Sequence, residues 1–242
     1  MYSYSPLRVI TWLGFFGLVG WSWWVMYSMA MMMGREPMNM HDFGPLVIMW
    51  AIMMAAMMGP TFVPTLRTYE DLIHSADGSR AGWLGLILGY LGVWVIFAVV
   101  ISAAQVWLIE ARLVTRMGRS MSGVFSAGLL LAAGLYQFTA LKDRCLRHCR
   151  SPMIQFLAHW RPGFAGGIRM GAHHGAYCVA CCWGLMAIGF VGGTMDLIWM
   201  GGATVLMTLE KIEDIGKWLT RPVGLALIVW GLYVAGQTAG FF

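Results

Sequence analysis

The chain has 242 residues, of which 59% are hydrophobic and only 11% are charged, less than half the charged share of an ordinary soluble domain. That charge is too little to cover a soluble surface, so the composition excludes a soluble enzyme, a disordered chain and a small disulfide scaffold. The net charge of +5 reflects membrane topology and not nucleic-acid binding, because the basic residues lie in a few short loops.

Long uncharged runs predict an all-α, polytopic transmembrane helical bundle that forms a single domain over residues 1–242. A helix needs about 20 apolar residues to cross a bilayer, and six runs are long enough. A seventh, between Asp196 and Glu210, is short, and the Gly192–Gly193 pair would form the turn before it. The bundle has six spans if this segment does not cross. The predicted spans are 9–33, 44–66, 83–108, 122–141, 170–191, 193–209 and 222–241.

The basic residues set the orientation of these spans. With seven spans, most Lys and Arg residues fall on the side of the N-terminus, including the cluster between residues 142 and 169. Short loops rich in Lys and Arg stay in the cytoplasm, so we expect the N-terminus to be cytoplasmic and the C-terminus to lie outside.

Methionines are clustered in the first two spans and in the loop between them, which also holds His41. Met49, Met53 and Met57 are spaced at i, i+4 and i+8, so they share one helix face. Thioether sulfur is soft and neutral, prefers Cu(I) to hard cations and binds without losing a proton. The alternative is that these methionines are adaptable packing residues.

A first cysteine motif, Cys145-Leu-Arg-His148-Cys149, follows the fourth span. The two cysteines are four residues apart and share a helix face, with His148 beside them. The surrounding Lys and Arg residues favour the thiolate, which is the metal-binding form of cysteine. The alternative is a basic cytoplasmic loop with incidental thiols.

A second motif lies in the fifth span, where His174, Cys178, Cys181 and Cys182 occupy one helix face. Polar groups inside a membrane are costly unless they have a partner. Because each motif contains a Cys-x3-Cys pair in the cytoplasmic half, the two pairs could meet. They would then form a closed four-thiolate zinc site or a Cu(I) site with fewer ligands. The alternative is that these cysteines are small apolar core residues.

Charged residues also end several spans. Glu210 and Lys211 close the short segment, and Glu110 closes the third span. We expect these residues to be interfacial charges that pair locally, while a role in supporting a metal site or in handling protons stays open.

The motifs resemble a bacterial family of predicted metal-binding integral membrane proteins that carry a domain of unknown function. The resemblance covers roughly residues 40–220, with Ala180 where the family has Gly, and it implies a polytopic, metal-binding membrane protein. We therefore expect the bacterial inner (cytoplasmic) membrane. The segments that carry the resemblance are Met49-Trp50 to Gly59-Pro60, Tyr136-Gln137, Leu141-Lys142, Cys145-Leu-Arg-His148-Cys149-Arg150-Ser151-Pro152, Gly175-Ala-Tyr177-Cys178-Val-Ala-Cys181-Cys182-Trp183, Met195-Asp196 and Glu210-Lys211.

The favoured hypothesis is an integral membrane protein that binds and handles a soft transition metal for transport or delivery. The metal is expected to be Cu(I), with zinc as the second possibility. Expected partners are the lipid bilayer, the metal ion and a membrane complex or metallochaperone, with no nucleic acid. The candidate metal ligands are Cys145, Cys149, Cys178, Cys181, Cys182, His148, His174, Met49, Met53, Met57 and His41.

Two other functions stay open at this point. One is a membrane thiol–disulfide oxidoreductase, with Cys178-Val-Ala-Cys181 as the redox pair and Cys145 or Cys149 as the resolving thiol. The other is an accessory or assembly subunit of a larger membrane enzyme complex, for which a copper enzyme is one candidate. The chain has no Gly-rich phosphate loop, nucleophile elbow or His-Glu-x-x-His motif, which favours a role other than catalysis.

Overall fold

The structure, a computed structural model, describes residues 6–33, 42–73 and 75–240. These residues are almost entirely helical, and their single β-type pairing is an isolated bridge between Val114 and Ser120. The all-α prediction is therefore confirmed. The helices are α1 (Pro6–Met33), α2 (Phe43–Leu72), α3 (Arg80–Glu110), α4 (Gly123–Tyr136), α5 (Ala140–Arg150), α6 (Pro152–His159), α7 (Gly163–Ala187), α8 (Gly189–Gly192), α9 (Leu197–Lys211) and α10 (Glu213–Thr238).

Five helical segments of the described chain are long and apolar enough to cross a membrane: α1, α2, α3, α7 continued by α8, and α10. A sixth is available only if α4 and α5 count as one span, although they meet at a bend of 65°. The segment predicted at 193–209 forms α9, which has 15 residues and begins at Leu197. A count of seven spans therefore stays a prediction.

Glycines bring α3 and α7 into close contact along their length. A methyl group on Gly89 would collide with the backbone of Ile168, and one on Gly171 would collide with the backbone of Leu86. Small residues at such positions let two helix backbones approach, which suits helices that lie in lipid. This packing fixes the position of α7, which carries three of the five cysteines.

Two tryptophans hold α1 against α2. Pro60 has no N–H, so the carbonyl of Ala56 lacks its usual helical donor, and the indole Nε1 of Trp23 donates to it at 3.0 Å. Three turns earlier in α1, the indole of Trp12 donates to the carboxylate of Glu70 at 2.8 Å. The freed carbonyl is thus satisfied by a neighbouring helix.

The turn before α9 lies where the Gly192–Gly193 pair predicted it. Helix α8 ends at Gly192, and Gly193 has a φ of 111°, a conformation that side chains of L-residues rarely adopt. The carboxylate of Asp196 then caps α9 by accepting from the backbone N–H groups of Ile198 and Trp199. This start directs α9 back along α2 and α7, so that Lys211 at its end lies in the core.

Candidate metal centre

Three thiols of α7 form the centre of the site. The sulfur atoms of Cys178, Cys181 and Cys182 all lie within 4.8 Å of one another, and those of Cys181 and Cys182 are 3.3 Å apart. All three side chains are buried and none is in a disulfide. Three soft donors this close can hold a metal ion with small adjustments of their rotamers.

Helix α5 adds a fourth thiol. The sulfur of Cys149 lies 3.9 Å from that of Cys181, so the two cysteine motifs meet, as the Cys-x3-Cys spacing allowed. Cys145 is also buried, but it makes no thiol contact within the described residues. Four of the five thiols are therefore grouped, and the hypothetical four-thiolate set contains Cys181 in place of Cys145.

A buried lysine lies against this group. The Nζ atom of Lys211 donates to the sulfur of Cys178 at 2.9 Å and to the hydroxyl of Thr61 at 2.8 Å, and only 7% of the residue is exposed. Its partners are thus a thiol and a hydroxyl, both neutral when protonated. A buried cation without a carboxylate favours negative charge on the sulfur that it contacts.

Aromatic and hydroxyl groups enclose the same thiol. The hydroxyl of Tyr90 lies 3.1 Å from the sulfur of Cys178 and 3.4 Å from the hydroxyl of Thr61. The ring of Tyr90 is stacked on Phe62, with centroids 3.9 Å apart. The hydroxyl of Tyr136, at the end of α4, donates to the backbone carbonyl of Ala180 at 2.5 Å. This bond ties α4 to the part of α7 between Cys178 and Cys181.

His174 lies one turn from Cys178, but both of its ring nitrogens have partners. Its Nδ1 is 2.9 Å from Oε1 of Gln155, and its Nε2 is 3.2 Å from the hydroxyl of Thr65. Because a carbonyl oxygen can only accept, Nδ1 carries the proton and the Thr65 hydroxyl donates to Nε2. His174 can therefore bind a metal only after its bond to Thr65 breaks.

His148 belongs to a group of aromatic rings at the end of α5. Its imidazole is stacked on Tyr177 with centroids 3.9 Å apart, and it meets His173 edge to face. His159 packs on the other side of His173. The Nε2 atom of His148 has no hydrogen-bond partner in the described part of the chain, so it has a free nitrogen where His174 has none.

The expectation of an interfacial pair at Glu210 and Lys211 is wrong. Glu210 forms a buried ion pair with Lys142 at 2.9 Å, and both side chains are only 1% exposed. Its backbone carbonyl accepts from the guanidinium of Arg150 at 2.8 Å. The glutamate is thus neutralised from α5, which leaves the positive charge of Lys211 to the thiols.

The methionine stripe of α2 faces the core. Met49, Met53 and Met57 are all buried, and the same face continues one turn further with Thr61, which contacts Lys211. The stripe therefore leads along the helix to the thiol group. His41, the remaining candidate ligand, lies outside the described residues.

Sequence reasoning left out Thr61 and Tyr90, and it assigned Lys211 to a different environment. Thr61 could have been found, because it extends the i+4 spacing of the methionines. Tyr90 lies on another helix, and the sequence carries no signal that connects it with the cysteines.

A helical protein with buried, closely grouped thiols and a methionine stripe belongs to the class of proteins that can hold a soft metal. The comparison with known families is more specific. Residues 47–234 match a family described as PpoB2, copper chaperone, so the chain belongs to this copper chaperone family. No curated protein and no solved structure matches the chain.

Proposed function

We propose that this protein is an integral membrane copper protein that binds Cu(I) at the thiols of Cys149, Cys178, Cys181 and Cys182 and passes it on to a partner. The observation that carries the proposal is the grouping of these four buried thiols around Lys211. Family membership supports copper as the metal. Soft, polarisable sulfur ligands favour Cu(I) and zinc over hard cations such as Mg²⁺ and Ca²⁺.

The charge of the site favours Cu(I) over zinc. Cu(I) with two thiolates carries a net charge of −1, which the ammonium of Lys211 balances. Zn²⁺ with four thiolates carries −2 and would leave an uncompensated negative charge in the core. Buried charges are tolerated when they are paired and are strongly unfavourable when they are not.

The proposed location is a bacterial inner membrane with the N-terminus in the cytoplasm. Its support is the set of long apolar helices and the distribution of basic loops. In this orientation α2 runs from the outer face inward, so the methionines from Met49 to Met57 precede the thiols on the way to the cytoplasm. Neutral thioethers would meet the ion first and thiols would hold it last.

The burial of the thiols argues against a thiol–disulfide oxidoreductase. Disulfide exchange needs a thiolate that an external disulfide can reach. All five cysteines are buried and free, and Cys178 and Cys181 are only 0% and 1% exposed. A metal ion is small enough to reach thiols buried inside a helical bundle, whereas the disulfide of a second protein is not. A role as an accessory or assembly subunit remains compatible with copper delivery, since delivery needs an acceptor protein.

The proposal is tested by copper binding to the anaerobically purified full-length protein. Wild type is expected to bind Cu(I) tightly, with sulfur ligands in its X-ray absorption spectrum. The Cys178→Ser/Cys182→Ser variant is expected to lose this binding. Cys145→Ser is the matched control, because Cys145 is buried but lies apart from the thiol group, and it is expected to bind like wild type. Wild type without tight copper, or equal loss in both variants, would refute the assignment.

A further inference from the structure

A cavity of about 280 Å³, open on one side where it is lined by the exposed Ile198, lies between α2, α7, α9 and α10, beyond the thiol group. Its walls are almost wholly apolar, and none of the described residues that line it is charged. Three separate helices each contribute methionine to these walls: Met53 and Met57 from α2, Met186 from α7, and Met200 from α9. We call this cavity the thioether chamber.

Packing alone does not explain the chamber. Methionine is used in cores because it adapts to fill irregular gaps, yet here four methionines line a half-open pocket without filling it. The clustering of methionine in α2 also does not account for Met186 and Met200, which lie far away in the sequence and converge only in the fold.

The chamber adjoins the thiol group. Met57 precedes Thr61 by four residues on α2, and Met186 follows Cys182 by four residues on α7. Four residues are slightly more than one helical turn, a rise of about 6 Å. Thr61 of α2 and Cys178 of α7 both contact Lys211, so these two helix faces meet at the thiol group. About one turn away, the same faces of α2 and α7 carry the methionines of the chamber.

We propose that the thioether chamber is a second copper site, in which Met53, Met57, Met186 and Met200 hold Cu(I) more weakly than the thiols do. This inference rests on the proposed function, since it takes copper as the ion that the protein handles. Thioethers are soft and neutral, so they can bind the monovalent Cu(I) ion without losing a proton. It offers a divalent ion no negative charge, and binding of such an ion in an apolar cavity is strongly disfavoured.

The test is a Cu(I) titration of the full-length protein against a chelator of known affinity, with Ag(I) as a second probe. Wild type is expected to take up one tight and one weaker equivalent. Met186→Leu/Met200→Leu keeps the volume and apolar character of the side chains, so it should fold and lose only the weaker equivalent. Met207→Leu is the control, because Met207 is buried on α9 but does not line the chamber.

The two proposals fail in different ways. Loss of the weaker equivalent in Met186→Leu/Met200→Leu, with Cys178→Ser/Cys182→Ser losing only the tight one, supports the chamber. A weaker equivalent that survives the methionine substitutions, or that Met207→Leu also removes, overturns it. Wild type that takes up one equivalent and retains a lipid chain in the chamber overturns it as well. Absence of the tight equivalent contradicts the proposed function instead.

Discussion

Replacing Lys211 with methionine separates the role of its charge from its role in packing. The ammonium lies 2.9 Å from the sulfur of Cys178 and is almost fully buried. Methionine has a similar length and no charge. Within the described residues Lys211 has no carboxylate partner, and without copper it is a buried cation held by a thiol and a hydroxyl, so Lys211→Met is expected to leave the stability of the apo protein unchanged or to raise it.

The same substitution is expected to weaken copper binding strongly. Two unit charges 2.9 Å apart attract each other by about 6 kcal/mol at an effective dielectric constant of about 20. Desolvation of the lysine offsets part of this attraction, and removing one partner of a buried charge pair costs about 3 kcal/mol. At 1.4 kcal/mol for each factor of ten, the Cu(I) dissociation constant should rise on the order of 100-fold.

The assay is competition for Cu(I) against a chelator, combined with thermal unfolding of the apo protein. Lys217→Met is the matched control, because Lys217 forms an exposed ion pair with Glu213 and its loss should change neither quantity. Lys211→Met with wild-type copper affinity would refute the charge argument. A large loss of apo stability would show that Lys211 is a structural residue.

Three further substitutions test the surroundings of the site. Gly171→Leu should push α7 away from α3, and it should lower both the thermal stability and the free energy of copper binding by about 3 kcal/mol or more. Gly92→Leu is its control and should change neither quantity, because the added side chain meets open space. Lys142→Met should lower the unfolding free energy by about 3–5 kcal/mol, because it leaves Glu210 charged and buried, and Lys142→Met/Glu210→Gln should recover part of that loss in the same thermal assay. Tyr136→Phe removes only the hydrogen bond to the Ala180 carbonyl, and a loss above about 1.5 kcal/mol would contradict that interpretation.

The helix periodicity of the cysteines placed each motif on one helix face, but it left open whether the two motifs meet and which thiols would be grouped. Spacing places Cys145 and Cys149 on the same face of α5, one turn apart. The position of α5 along α7 decides which of these two cysteines meets Cys181. That position depends on the 65° bend between α4 and α5. A bend between an apolar helix and a charged one leaves no periodic signal in the sequence.

The charged end of α9 was misread for a related reason. Glu210 and Lys211 follow a short apolar segment, a pattern typical of a helix that ends at the membrane surface. Their real partners, Lys142 and Cys178, come from helices far away in the sequence, so no local pattern could assign them. The glycines show the same limit, because the sequence alone does not tell which of them lie at a helix contact: Gly85 and Gly89 meet α7, whereas Gly92, Gly201 and Gly202 face open space.

The two indole bonds of α1 have a consequence for how this helix is seated. Trp12 and Trp23 are eleven residues apart, which returns them to nearly the same side of the helix after three turns. The two indoles therefore donate to two acceptors at fixed positions along α2. One acceptor is the carboxylate of Glu70 and the other is the carbonyl that Pro60 frees. A shift of α1 by one turn along α2 would break both hydrogen bonds at once. The two bonds therefore fix both the axial position and the rotation of α1 relative to α2.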